Sequence, residues 1–247
     1  FSDSGFSTRI GAAGGSYSPS GSTTAITAYA RWVGISTTNL LLHVDAANPA
    51  SYSGSGSTWT DLSGNGNHLA LCTGAVTLGG TSRTVTAPTF DTANGGVFNF
   101  DSQYDCVNKS SLNLSASRTN FSYFTWIKPS SIGVFQSIAM SHRSWANTLP
   151  IWRFDIAADG KLFFLDYNGT TGFNGTSSGT LTANQWAYVG FVRDGNSGTF
   201  YINGVSSGSI STTTSVTYES AGVFNVGFDY RDGVNPFSGS IGAIHYY

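Results

Sequence analysis

From Leu40 to its end the chain is a succession of short apolar or alternating runs separated by Gly, Asn, Asp and Ser. The runs include Leu40 to Val44, Val97 to Phe100, Phe121 to Ile127, Ile151 to Ile156, Leu162 to Tyr167, Trp186 to Val192, Thr199 to Ile202, Val223 to Phe228 and Ile241 to Tyr247. They are rich in β-branched and aromatic residues, and no window keeps a helical period with caps at its ends. The class is therefore all-β, with the run lengths and turn spacing of an antiparallel sandwich or barrel.

Three turns follow from residue chemistry. Asp159-Gly160 between the runs ending at Ile156 and starting at Leu162 tolerates the positive φ angles of a tight hairpin. Asp194-Gly-Asn-Ser-Gly198 joins the Trp186 run to the Thr199 run, which Asn203-Gly204 ends. In the first of these two, Trp186, Tyr188, Gly190 and Val192 share one face while Ala187, Val189 and Phe191 share the other. Both faces are largely apolar, so this strand is expected to be central and covered on both sides.

Residues 1 to 38 read differently. Gly11-Ala-Ala-Gly-Gly-Ser16 and Ser18-Pro-Ser-Gly-Ser-Thr-Thr24 are low-complexity runs around a strand-like piece, Thr27 to Val33. Phe1, Phe6, Tyr29 and Trp32 favour an arm ordered on a neighbour over a plain linker. The expected domains are this arm, 1–38, and a folded unit, 39–247.

Composition narrows the function. Only 10% of the residues are charged, and 36 Ser with 28 Thr make the surface polar without charge. A net charge of −2 with 11 Lys and Arg leaves no footprint for nucleic acid. No apolar run is long enough to span a membrane, and with no charged n-region before an apolar stretch at the N-terminus any leader is expected to have been removed. Of 13 acidic residues only Glu219 is a glutamate, which rules out catalysis by a glutamate pair. Cys72 and Cys106 either bridge neighbouring strands or stay as two buried thiols. Five sequons, at Asn108, Asn113, Asn120, Asn168 and Asn174, are about what chance gives in so Ser- and Thr-rich a chain.

Seven blocks in order carry a family resemblance. They are Leu42 to Tyr52 with Gly56-Ser-Thr-Trp-Thr-Asp-Leu-Ser-Gly-Asn-Gly-Asn67, Val97-Phe-Asn-Phe-Asp101 with Tyr104-Asp-Cys-Val107, Asn120 to Pro129, Asp159 to Leu162, Asn184 to Val189, Tyr201 to Gly204, and Phe237 to Ile244. From about residue 40 onward the chain resembles the laminin-G-like jelly-roll domains of the concanavalin A-like lectin and glucanase superfamily. The resemblance implies an antiparallel two-sheet jelly-roll sandwich. Ser102 departs from the glycine usual after the Phe-Asp pair, and where the family usually continues into a tail the sequence reads to His245-Tyr-Tyr247, which leaves open a last strand ending there or further residues beyond it. Close versions of the opening motif occur in structural proteins of tailed phages and in secreted bacterial proteins, which brings a virion protein into view.

Candidate chemistry is sparse. Glucanases of the superfamily resemble one another in a Glu-x-Asp-x-x-Glu strand that this chain does not have. Asp101 and Asp105 would share a face only if the strand ran unbroken through Ser102-Gln-Tyr, which reads as a turn. His43, His68, His142 and His245 are scattered and no nucleophile elbow accompanies them. His43 and His245 read as hydrogen-bonded, partly buried side chains, and His142 as exposed in a loop. Asp61-Leu-Ser-Gly-Asn-Gly-Asn67 places oxygen-bearing side chains as the first half of a calcium loop does, with Cys72 where a bidentate Glu would sit. An Asx-type turn is the competing reading. Relatives of the family often hold calcium at the sandwich rim, so Asp61, Asn65 and Asn67, or Asp101 and Asp105, are the candidate calcium ligands; no other cofactor is expected.

Sugar binding needs aromatic faces beside amide or charged partners. Three segments supply them: Ser141 to Asn147 with Trp145 and Asn147, Asp166 to Asn174 with Tyr167 and Asn174, and Asp229 to Asn235 with Tyr230 and Arg231. The competing reading folds Trp145 back on the sandwich and makes Tyr167 and Tyr230 strand ends. The expectation is a non-catalytic virion or extracellular surface protein, of capsid-decoration or fibre type, displaying an adhesive, glycan-binding jelly roll. Its partners would be surface glycans and, through the arm, other copies of itself or virion proteins. A secreted lectin-like module is the alternative, and a polysaccharide hydrolase comes third.

Overall fold

The computed structural model describes residues 36–78, 80–92, 95–101, 103–112, 119–142, 151–167, 172–212, 222–229 and 233–247, with Asn39–Tyr247 forming one compact unit. The arm expected at 1–38 falls almost wholly outside them. The described residues form eighteen strands and no helix. They are β1 (Leu42–Asp45), β2 (Thr58–Trp59), β3 (Leu69–Leu71), β4 (Gly74–Leu78), β5 (Thr81–Val85), β6 (Thr89–Asp91), β7 (Val97–Asp101), β8 (Val107–Leu112) and β9 (Asn120–Pro129). The second half comprises β10 (Gln136–His142), β11 (Ile151–Ile156), β12 (Lys161–Tyr167), β13 (Gly172–Thr180), β14 (Ala187–Asp194), β15 (Ser197–Ile202), β16 (Val205–Ser211), β17 (Gly222–Val226) and β18 (Ser238–Tyr246).

Two eight-stranded sheets pack face to face. Sheet 1 runs β16-β15-β14-β9-β18-β7-β6, with β1 also beside β18; sheet 2 runs β13-β12-β11-β10-β17-β8-β3-β2. The first and last strands are neighbours, with Leu42 opposite Tyr246 and Asp45 opposite Ala243. The expected hairpins form: β11 and β12 turn at Gly160 (φ 82°), and β15 and β16 turn on Asn203 and Gly204 (φ 54° and 80°), a mirror-type turn matched to strand twist. Alternation sends Phe121, Tyr123, Trp152, Phe154, Phe164, Phe191, Phe224 and Tyr246 into one buried aromatic core. Phe164 and Phe191 stack across the sheets with centroids 3.9 Å apart. Each such ring contributes about 1.5–3 kcal/mol by leaving water.

β14 is central, between β15 and β9, but its outer face is covered by side chains of its own sheet, chiefly the Phe124 ring over Gly190. On the other side of the molecule Cys72 and Cys106 form a disulfide. Beside it Val85, Met140 and Phe228 make a second small core with Val76 and Tyr104, on the outer face of sheet 2. His142 corrects the expectation of an exposed loop residue: it ends β10 with 2% of its surface accessible, Nε2 lying 3.2 Å from Asn225 Nδ2.

Candidate functional site

The outer face of sheet 2 carries the most concentrated chemistry. Because Trp152, Phe154 and Ile156 point inward, Arg153 and Asp155 of β11 point outward. The same alternation presents Phe163, Leu165 and Tyr167 from β12 and Asn174 and Thr176 from β13. Register aligns Arg153, Leu165 and Asn174 in one row and Asp155, Phe163 and Thr176 in the next. The strip is graded: Arg153 and Asp155 are buried, Phe163, Leu165 and Tyr167 half-buried, Asn174 and Thr176 exposed.

Arg153 organises this face. Its Nη1 lies 3.0 Å from Asp229 Oδ2 and its Nη2 2.8 Å from Asp155 Oδ2. Its guanidinium carbon is 5.6 Å from the centre of the Phe135 ring, which meets Phe163 edge-on at 5.3 Å. Burial pushes the Asp155 carboxyl up to about 6, against the pull of the neighbouring Arg153 charge. Both aspartates are fully buried on one guanidinium. Through Asp229 the guanidinium holds the segment after β17 onto the sheet.

Tyr167 and Asn174 come together here as diagonal neighbours, since Tyr167 pairs with Gly172 and Asn174 with Leu165. Tyr167 is also the last residue of β12, as the competing reading had it. Trp145, Asn147, Tyr230 and Arg231 lie outside the described residues, as does Glu219. On this face the described chain stops at His142, ahead of Trp145 and Asn147, and at Asp229, ahead of Tyr230 and Arg231. Sequence reasoning missed Arg153, Asp155, Phe163 and Thr176. The signal was the alternation in Trp152-Arg-Phe-Asp-Ile156, which places two opposite charges on one face of a strand in a chain with few charges.

A laminin G-like family model described as the concanavalin A-like lectin/glucanases superfamily matches residues 101–247. The chain belongs to this superfamily. Among solved structures it is similar to domain 4 of AbnA, an extracellular arabinanase from Geobacillus stearothermophilus, in complex with arabinotriose (17% identity, TM-score 0.62, 84% of this chain and 91% of that one). It is also similar to the binding domain of Paraclostridial Mosquitocidal Protein 1 (15%, TM-score 0.58, 85% and 49%). A third is the binding domain of botulinum neurotoxin serotype D/C VPI 5993 (13%, TM-score 0.59, 85% and 49%). The chain thus spans about half of each of these toxin binding domains. At such identities the likeness is one of fold. No curated protein matches the sequence.

Within this concanavalin A-like sandwich the two expected calcium sets occupy different places. Asp61, Asn65 and Asn67 lie against β1. Asp101 ends β7 in sheet 1, and Asp105 precedes β8 in sheet 2, so no single strand presents both. Asp105 accepts hydrogen bonds from the Asp101 backbone N–H (2.8 Å) and the Thr86 hydroxyl (2.7 Å). Its carboxyl is raised by burial despite these bonds, with the Asp101 charge adding to the rise. Among the described residues no group of three or more His, Cys, Asp or Glu is placed to hold a metal ion.

Sheet 1 has its own unusual outer face. A row crosses six strands from His43 through His245, Phe124, Gly190 and Tyr201 to Ser206. His43 and His245 stack at 4.8 Å, Phe124 lies 5.5 Å from Tyr188 and 6.0 Å from Tyr201, and Trp126 lies 5.2 Å from Tyr188. A solvated antiparallel face ordinarily alternates to polar residues. This one carries rings.

Proposed function

We propose that the protein is a non-catalytic surface protein whose sandwich binds a glycan on the outer face of sheet 2. The observation that carries this reading is the diagonal pairing there of half-buried Tyr167 with exposed Asn174, in the strip that runs on to the clamped Arg153. Half-buried rings next to exposed amide and hydroxyl groups suit sugar C–H faces and hydroxyls respectively. Membership of the lectin and glucanase superfamily supports it, as does the arabinotriose bound in the similar arabinanase domain. A disulfide and an uncharged Ser- and Thr-rich composition suit an extracellular or virion surface.

A second reading, a coat or fibre subunit that assembles with copies of itself or with virion proteins, is favoured by the aromatic outer face of sheet 1. Large apolar patches on soluble proteins mark interaction surfaces.

A glycan array run with the wild type and with Tyr167→Ala and Asn174→Ala tests the first reading. Selective binding by the wild type that both substitutions weaken at least about tenfold is the expected result. Equal signals for all three proteins, or no signal for any, reject the face as a glycan site. Sedimentation of the same samples reports on assembly.

A further inference from the structure

β1 has a sheet neighbour, β18, on one side only. An open edge there would leave the His43 peptide groups unpaired. The loop from Thr60 to Asn67, after β2, fills the vacant side. Asp61 Oδ1 accepts the His43 backbone N–H at 2.9 Å, and the Leu62 N–H donates to the His43 carbonyl at 2.7 Å. Farther along, the Ser51 hydroxyl oxygen accepts the Asp45 N–H at 3.1 Å and donates to the Thr60 carbonyl at 2.6 Å.

The same loop also holds the chain just before β1. Asn65 Nδ2 donates to the Leu40 carbonyl at 2.7 Å, and Asn67 Nδ2 to the Leu41 carbonyl at 2.7 Å. A carbonyl acceptor fixes each amide with its NH₂ towards the chain. Asp61 is equally committed. Oδ1 takes the His43 and Ser63 N–H groups, and Oδ2 takes the Ser63 hydroxyl and the Asn67 N–H. A carboxylate has about four lone-pair sites, and all are in use. Burial alone would raise the Asp61 pKa, yet these donors hold it below its ordinary value.

Calcium takes six to eight oxygens. Here N–H groups converge on the carboxylate and the amides turn their N–H groups to carbonyls, so the donor set does not fit the calcium that the family resemblance implies. We infer that the Asp61 loop is a metal-independent clasp that stands in for the missing neighbour of β1 and pins the chain at Leu40 and Leu41.

Thermal unfolding in millimolar calcium and in EDTA, with amide exchange at His43 and Leu62, tests this on the wild type and on Asn65→Ala/Asn67→Ala. The wild-type Tm should be the same in both solutions. The double variant should lose about 4 °C and exchange these amides roughly tenfold faster in either solution. If it does not fold, Asn67→Ala alone should lose about half as much. A calcium-induced rise in wild-type Tm that the variant abolishes would overturn the inference, as would a variant with unchanged Tm and exchange. A rise that persists in the variant would also count against it, because Asp61 is intact there.

Discussion

The guanidinium of Arg193 is ion-paired with the carboxylate of Asp166 inside the sandwich, one side chain from each sheet, both fully buried. Arg193 also donates through Nε to the Gly195 carbonyl at 3.1 Å and lies over the Phe173 ring at 5.3 Å. Removing one member strands the other charge in a low-dielectric interior, a loss of about 3–5 kcal/mol. Arg193→Met and Asp166→Asn should each lower the unfolding free energy by that order in urea titrations. The double variant Arg193→Met/Asp166→Leu should recover most of it, because no charge is left unpaired. Single variants that behave like surface substitutions would contradict the pairing.

Two buried groups set opposing pH dependences. Burial, then the neighbouring His43, push the His245 pKa down to about 3. As pH falls below about 6.5 the unfolded chain gains a proton that the native state refuses, so this group's stability contribution is full above that pH and is lost towards pH 3. Asp155 acts the other way: with its carboxyl raised to about 6, the native state takes up a proton first and gains stability as pH falls from about 6 towards the ordinary carboxylate range. The histidine shift is the larger. His245→Gln should therefore flatten the decline in stability between pH 6.5 and 4.5 by on the order of 2 kcal/mol, and Asp155→Asn should steepen it. Urea midpoints that fall in parallel for wild type and His245→Gln would exclude the histidine.

The Cys72–Cys106 bridge closes a separation of 34 residues. In the chain-entropy account a loop of this size is worth about 3–4 kcal/mol. Cys72→Ser/Cys106→Ser should lower stability by that order without changing the far-ultraviolet spectrum, since β4 and β5 pair independently of both sheets. A reducing agent should shift the wild-type midpoint towards that of the variant and leave the variant unmoved.

The parts of this fold that show in the sequence are those where burial is one-sided or a turn needs special backbone angles. β9, β12 and β14 show as apolar runs between turn residues, and Asp159-Gly160 and Asn203-Gly204 mark the β11–β12 and β15–β16 hairpins. β13 and β16 do not show, because they are edge strands whose small residues let the two sheets close on each other. A side-chain carbon at Gly175 would lie 2.4 Å from Ile210, and the Gly179 N–H donates to the Ser207 hydroxyl at 3.0 Å. Such Ser- and Gly-rich strands read as loops. At the candidate site Tyr167 and Asn174 stand out by composition, whereas Arg153 and Asp229 meet only through pairing between distant segments. Asp61, Asn65 and Asn67 show the opposite problem, since alternating oxygen-bearing side chains serve a hydrogen-bonded clasp as well as a cation loop.

Gly190 tests whether the aromatic face of sheet 1 is a built surface. A mid-strand glycine ordinarily weakens a sheet, and replacing it with alanine would be expected to help. Here a side-chain carbon would fall 2.1 Å from the Phe124 ring, which occupies the space over the Gly190 backbone beside Tyr188 and Tyr201. Gly190→Ala must therefore displace Phe124, and overpacking of this kind costs about 1–3 kcal/mol. The displacement should also change the near-ultraviolet circular dichroism, because Phe124 and Trp126 both pack against Tyr188. In a Phe124→Ala background the alanine at 190 has no ring to move, so the same substitution should become neutral or mildly stabilising. That change of sign is a coupling between the two positions that a double-mutant cycle reads directly. Equal costs in both backgrounds would mean that Gly190 is required by the backbone and not by the ring.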